Sequence, residues 1–299
     1  MTALNPQCTS TRMIPRPAQD QIAGFDVIQT LGTGAASVLY LVRDAKGASY
    51  TLKYVPIDGK QDHRFAEQAI SEHRIAQRFD DPRIRKSLRV HKIRPFLKLT
   101  AVAVILEHVE GTTLNALTEP TPTELYPVFR EAAAALAVMH EAGYVHADLK
   151  PSNIMVTRAQ QDQPSMVKLI DLGQSCPTGT IKQRIQGTPD YMAPEQAKRR
   201  AVDERTDVFC LAATMYNLLT GQRASHAMPA GGDLGTLASS SDANTPTTPA
   251  HELNAEVPPA LSALLTDALS QRPGDRPASM DRFVDRLDLA LQQSRRAAG

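Results

Sequence analysis

Alternation of apolar and polar positions marks the first third of the chain, and helical spacing takes over after it. "FDVIQTL" is followed by a glycine turn, then "SVLYLVRD", a "KG" turn and "SYTLKYV". These runs predict an antiparallel meander with β-branched and aromatic content between Gly24 and Val109. One amphipathic helix interrupts it at about Asp62–Phe79, where Phe65, Ala69, Ile70 and Ala76 lie near helical spacing. "SLRVHKIRP" and "LKLTAVAVILEHV" then resume as strands. After Gly111 the stretch "PTPTELYPVFREAAAALAVMHEAG" predicts a helix capped by Thr121 or Thr123 and stopped at Gly143. "DERTDVFCLAATMYNLLTG" is apolar nearly all round, which predicts a central buried helix ending at Gly221. Two further helices are expected at about Pro258–Ser270 and Ala278–Arg296. Residues 1–22 are polar and proline-bearing and are expected to form a loose tail. Residues 224–248, rich in small residues, are expected to form a surface loop.

Composition narrows this picture. At 299 residues the chain exceeds what one hydrophobic core usually serves, so two lobes or domains are expected. A net charge of +1 gives no reason to expect nucleic acid or an anionic membrane surface as a partner. Cys8, Cys176 and Cys210 are odd in number and widely spaced, which points away from a disulfide framework or a zinc site. No apolar run approaches the roughly 20 residues of a membrane helix, and the N-terminus lacks the apolar core of a signal peptide. A cytoplasmic location is the expectation.

Four polar stretches break the apolar pattern. "LGTGAAS" (31–37) lies between two strands. It reads as a hairpin turn or as a loop whose backbone N–H groups approach phosphate. Lys53 sits inside an apolar strand, where it either snorkels outward or turns inward to an anion such as Glu72. In "YVHADLKPSNIMV" (144–156), Asp148 can accept a hydroxyl proton, Lys150 can neutralise a phosphate and Asn153 can ligate Mg2+. "VKLIDLG" (167–173) adds a second strand-ending carboxylate, Asp171.

In this order, followed by "GTPDYMAPE", the stretches resemble the protein kinase catalytic domain, and most closely its bacterial, eukaryotic-like Ser/Thr type. The resemblance covers about Phe25–Leu291. It implies an α+β, bilobal fold: a small antiparallel β-sheet lobe with one helix (about 23–107), a hinge (about 107–111) and a larger, mostly helical lobe (about 112–297). It also implies an ATP-dependent kinase, using Mg2+ or Mn2+, that acts on Ser/Thr hydroxyls of proteins.

The roles it implies can be placed residue by residue. Gly32 and Gly34 would cover the ATP phosphates, with Ser37 in the place of a third glycine. Leu31 and Leu39 would roof the adenine, Thr51 and Leu106 would line its wall, and backbone groups of Glu107 and Val109 would bond its rim. Lys53, oriented by Glu72 rather than Glu67, would hold the α- and β-phosphates. Asp148 would receive or orient the substrate hydroxyl, Lys150 would meet the γ-phosphate, and Thr188 would bridge those two. Asn153 and Asp171 would ligate the metal. His146, Asp207 and the pair Glu195–Arg276 would be scaffold. One distributed constellation around a single nucleotide is the expectation.

The sequence departs from the family pattern at four positions. Ala147 stands where most members carry an arginine that gathers a phosphorylated activation-loop residue, so activity without loop phosphorylation is expected. Ser37, Leu172 (for the usual phenylalanine) and Thr51 (for the usual alanine) remove no phosphate-transferring group. Two rival readings are an ATP-binding pseudokinase scaffold and a small-molecule phosphotransferase. The first would normally have lost Lys53, Asp148, Asn153 or Asp171, and the second lacks the "GTPDYMAPE" segment.

Overall fold

A computed structural model of the chain describes residues 21–34, 36–59, 62–157, 166–224 and 247–297. The expected tail lies outside the described residues except at 21–22, and so does the expected loop over 225–246. The chain divides into two compact groups. One holds the residues up to His73 together with Ser87–His108; the other holds Arg74–Lys86 and everything from Val109 onward. Residues 74–86 thus group with the helical part. The reason is local: Arg83 O and Leu169 O accept from Leu169 N and Arg85 N, and Ile84 forms a parallel bridge to Leu169.

The first group is a six-stranded sheet with β1 (Gln21–Ile22), β2 (Phe25–Thr33), β3 (Val38–Arg43), β4 (Ser49–Pro56), β5 (Ser87–Ile93) and β6 (Ala101–Glu107) in the order β1-β2-β3-β4-β6-β5. All its pairings are antiparallel, as the meander pattern predicts. The helix α1 (His63–Ala76) falls between β4 and β5, slightly shorter than its apolar spacing suggests.

Register assigns the two faces of this sheet. Tyr40, Leu52 and Ile105 pair across β3, β4 and β6 and belong to one apolar cluster, with Val38, Val42 and Ala103. Side chains alternate along a strand, so the flanking pairs Leu39–Lys53–Val104 and Leu41–Thr51–Leu106 point to the other face. There Val104 and Leu106 pack with Val55, Ala66 and Ala69, which brings α1 onto that face. Leu39, Thr51, Lys53 and Leu106 therefore share one side of the sheet, the side that α1 covers.

The second group is built on α2 (Pro122–Glu141) and α4 (Glu204–Thr220). Thr121, not Thr123, caps α2: its side chain accepts from Glu124 N, and Glu124 returns a bond to Thr121 N. Gly143 follows at φ 78°, and Gly221 ends α4 at φ 70° with its N–H on Asn217 O. Twelve of the seventeen residues of α4 are buried, as its all-round apolarity predicts. The helices α6 (Pro259–Ala268) and α7 (Met280–Ala297) pack in the same core through Leu261, Leu265, Phe283 and Leu287. Two short helices, α3 (Pro194–Ala197) and α5 (Ala250–Leu253), complete the set.

Three short ladders organise the segments of interest. β7 (Gly111–Thr113), β9 (Ile154–Thr157) and β10 (Val167–Leu169) form one sheet in the order β10-β9-β7, and β8 (Tyr144–Val145) pairs with β11 (Cys176–Pro177). Gly111 has to be a glycine here, because a Cβ would lie 2.3 Å from Val156 O. No helix among the described residues is long and apolar enough to cross a membrane.

Candidate functional site

In the sheet-bearing group, Lys53 Nζ lies 2.6 Å from Glu72 Oε2, and the glutamate side chain is 6% exposed. The register explains the meeting, since Lys53 projects from the α1-covered face and Glu72 turns inward from α1 while Glu67 faces solvent. A buried carboxylate needs such a partner to offset the loss of its hydration. Gly32 pairs with Leu39 across β2 and β3, and Gly34 N donates to Ser37 O at 2.7 Å, closing the turn beyond. Leu31 is exposed and Leu39 half-buried. Thr51 is buried, and its hydroxyl lies 3.2 Å from Nδ1 of His108, so the polar atom it adds is not left bare. Leu106 is buried between Thr51 and Ser87, and Glu107 pairs with Tyr50 at the strand end.

In the helical group, Asp148, Lys150 and Thr188 close a triangle. Lys150 Nζ donates to Asp148 Oδ2 at 3.1 Å and to Thr188 Oγ1 at 2.7 Å, while the Thr188 hydroxyl donates to Asp148 Oδ1 at 2.9 Å. Asn153 Nδ2 donates to Asp148 O at 2.9 Å, and Ile170 N donates to Asn153 O at 2.9 Å. These two bonds tie the segment bearing Asp171 to the one bearing Asp148. Asp171 Oδ1 accepts from Gly173 N, and its backbone sits at φ 124°, a region costing about 1–3 kcal/mol for a residue with a side chain. Gly187, just before Thr188, takes φ 126°; a Cβ there would lie 3.3 Å from Met192 Cε. Val109 is half-buried at the start of this group.

The backbone before Asp148 is clamped. Asp207, fully buried near the start of α4, accepts from His146 N at 2.7 Å and Ala147 N at 2.8 Å, and from the Nε2–H of His140 at 2.9 Å. Burial alone would push the Asp207 carboxyl up. The bond from His140, together with that from the Ala147 amide, outweighs that and holds it below the usual carboxylate range. Ala147 adopts φ 58°, and its carbonyl accepts from Gln196 Nε2 at 2.8 Å. The His146 ring is buried, with Nδ1 accepting from Asp148 N at 3.3 Å. Burial lowers its basicity and favours the neutral ring, which agrees with that acceptor role.

Glu195 and Arg276 form a two-pronged buried pair, Nη1–Oε1 at 2.8 Å and Nη2–Oε2 at 2.9 Å. Arg276 also donates to Ser270 O and Arg205 O and lies 4.9 Å over the Phe209 ring. A separate cavity of about 410 Å³, lined by Leu125, Val128, Val156 and Val167, includes none of the residues the sequence singles out.

Some partners have no counterpart in the sequence reading: His140 on Asp207, Gln196 on the Ala147 carbonyl and His108 on Thr51. The single signal available for Gln196 was its place beside Glu195 in "APEQ".

Comparison with known proteins identifies the family. A family model described as the protein kinase domain matches residues 25–286. The chain is 33% identical over 210 residues to the serine/threonine-protein kinase pkn3 of Myxococcus xanthus, covering 66% of this chain and 37% of that protein. It is 29% identical to the serine/threonine-protein kinase Pkn1 of the same organism, covering 92% and 40%. It is 30% identical to the serine/threonine-protein kinase PknB of Mycolicibacterium smegmatis, covering 58% and 28%. The chain thus spans two fifths or less of the length of these relatives. The match of the family model to most of the chain places this protein in the protein kinase domain family.

Proposed function

We propose that the chain transfers the γ-phosphoryl group of ATP to serine or threonine hydroxyls of proteins, with Mg2+. The observation that carries this reading is the Asp148–Lys150–Thr188 triangle, with Asn153 bonded to the same backbone. Asp148 accepts the proton of the incoming hydroxyl, whose oxygen bonds to phosphorus as the bond to ADP breaks. Lys150 sits beside that carboxylate, so its ammonium meets charge that moves onto the transferring group. Thr188 fixes both partners, and as part of the "GTPDYMAPE" segment it ties them to the expected peptide-docking floor. Lys53, oriented by Glu72, holds the α- and β-phosphates. Backbone N–H groups of Gly32 and Gly34 are the expected phosphate cover, Leu31, Leu39, Thr51 and Leu106 the apolar wall, and Glu107 and Val109 the adenine rim.

Asn153 and Asp171 offer hard oxygen donors of the kind Mg2+ takes. Asn153 directs its NH2 to Asp148 O, and its amide oxygen, 3.5 Å from the Ser152 hydroxyl, is the group it can offer. The described residues hold no cluster of three or more acidic, His or Cys ligands. Mg2+ usually binds through one or two protein oxygens together with substrate phosphates and water. When bound, the ion would neutralise phosphate charge during transfer. The need for ATP and the free thiols Cys176 and Cys210 support action on the cytoplasmic side. Incubation with γ-labelled ATP, Mg2+ and candidate proteins, followed by mass spectrometry of the labelled sites, tests the reading. Label on serine or threonine that disappears in Asp148→Asn supports it, and no transfer to any protein would reject it.

A further inference from the structure

Lys182 belongs to the segment that runs from the Asp171 turn to Thr188, just past the stretch in which β11 pairs with β8 and Ile181 bridges Ala201. Its neighbours Ile181 and Gln183 are exposed. Lys182 instead turns in, and its Nζ donates to the main-chain O of Gln174 at 2.6 Å and lies 3.5 Å from Gln174 Oε1. No carboxylate pairs with it among the described residues. A part-buried ammonium on a carbonyl is unfavourable unless negative charge lies close by. Burial acts against its charge and lowers its basicity, and the carboxylates of Asp148 and Asp207 offset part of that loss.

Ala147 is fully buried in an apolar cluster with Val145 and Val202, against which Cys176 packs. No cation stands at position 147 to receive a phosphate from this segment. Ser175, one of its hydroxyls, is buried and donates to His146 O at 3.4 Å, so it is already committed to the fold. Lys150 brings positive charge to Thr188 at the end of the segment, and Lys182 brings it to Gln174 near the start.

We propose that Lys182 is a positioning residue: by gripping Gln174, three residues past Asp171, it holds the stretch leading to Thr188 in its working shape without phosphorylation. The segment is closed into a loop from 174 to 182. Thr188 then continues from a fixed start, and the triangle with Asp148 and Lys150 is maintained. For its effect on turnover the proposal rests on the kinase reading above; the order of the segment does not depend on it.

The test compares the full chain with Lys182→Met and Lys182→Arg, by hydrogen exchange of residues 174–188 and by steady-state kinetics. Lys182→Met should exchange faster in that segment and lose about tenfold or more in kcat, with KM for ATP within about twofold. Lys182→Arg should restore the slow exchange and most of kcat. Unchanged exchange in Lys182→Met overturns the proposal, whether or not the wild-type chain transfers phosphate. Faster exchange with full kcat also overturns it, as does activity that phosphatase treatment of the segment abolishes. A wild-type chain that transfers nothing, while Lys182→Met exchanges faster, rejects the kinase reading and leaves the tether supported.

Discussion

The sheet-bearing group and the helical group each bring a cation to a carboxylate, and they position the pair by different means. Lys53 and Glu72 come from β4 and α1, and their meeting depends on how α1 lies against the sheet. Asp148 and Lys150 are two residues apart, and the backbone around them is fixed by Asp207, Gln196 and Asn153. The first contact follows the placement of a helix. The second is preorganised by bonds from several elements, so no single side chain controls where Asp148 points. Sites that require movement suit the first construction, and sites that require fixed geometry suit the second.

The largest effect should come from Asp148→Asn, which keeps the shape of the braced region and removes its proton acceptor. Phosphoryl transfer should fall by about 10²–10⁴-fold with the melting temperature nearly unchanged. Activity within tenfold of wild type would deny Asp148 its role. Next, Glu195→Gln should cost about 3–5 kcal/mol in denaturant unfolding, because it strands the Arg276 charge in the core. A loss below 1 kcal/mol would show that the bonds of Arg276 to Ser270 O and Arg205 O suffice alone.

A double-mutant cycle on Lys53→Met and Glu72→Gln comes third. The two positions should couple by about 0.5–3 kcal/mol in kcat/KM, the double variant being little worse than either single one. Additive losses would mean that the pair does not act as a unit. The smallest effect is expected from replacing Ser175, Thr178 and Thr180 together with alanine, which should leave kcat within about threefold. A large loss with the fold intact would restore a need for phosphorylation.

How much of this was legible in the sequence depended on what kind of bond fixes each residue. Strands β2 to β6 and helices α2, α4, α6 and α7 follow from period and capping, which are local. The motifs "DLKPSN", "DLG" and "GTPDY" mark their own positions because their chemistry is carried by neighbouring residues. The partner of Lys53 was also accessible, since Glu72 and Glu67 were the candidates on one helix. What the pattern did not carry was long-range bonding to backbone. Asp207 holds amides 60 and 61 residues away, and Gln196 reaches a carbonyl 49 residues away. A main-chain N–H or C=O is the same at every position, so no residue type announces it. The short ladder of β8 with β11 was hidden likewise, at two residues per strand.

The clamp on Ala147 touches its N–H and its carbonyl, and leaves its methyl group out of the bonding. The methyl is instead packed against Val145 and Val202, so a longer side chain at this position would have to part that small cluster before it reached solvent, with the backbone bonds on either side of it still made.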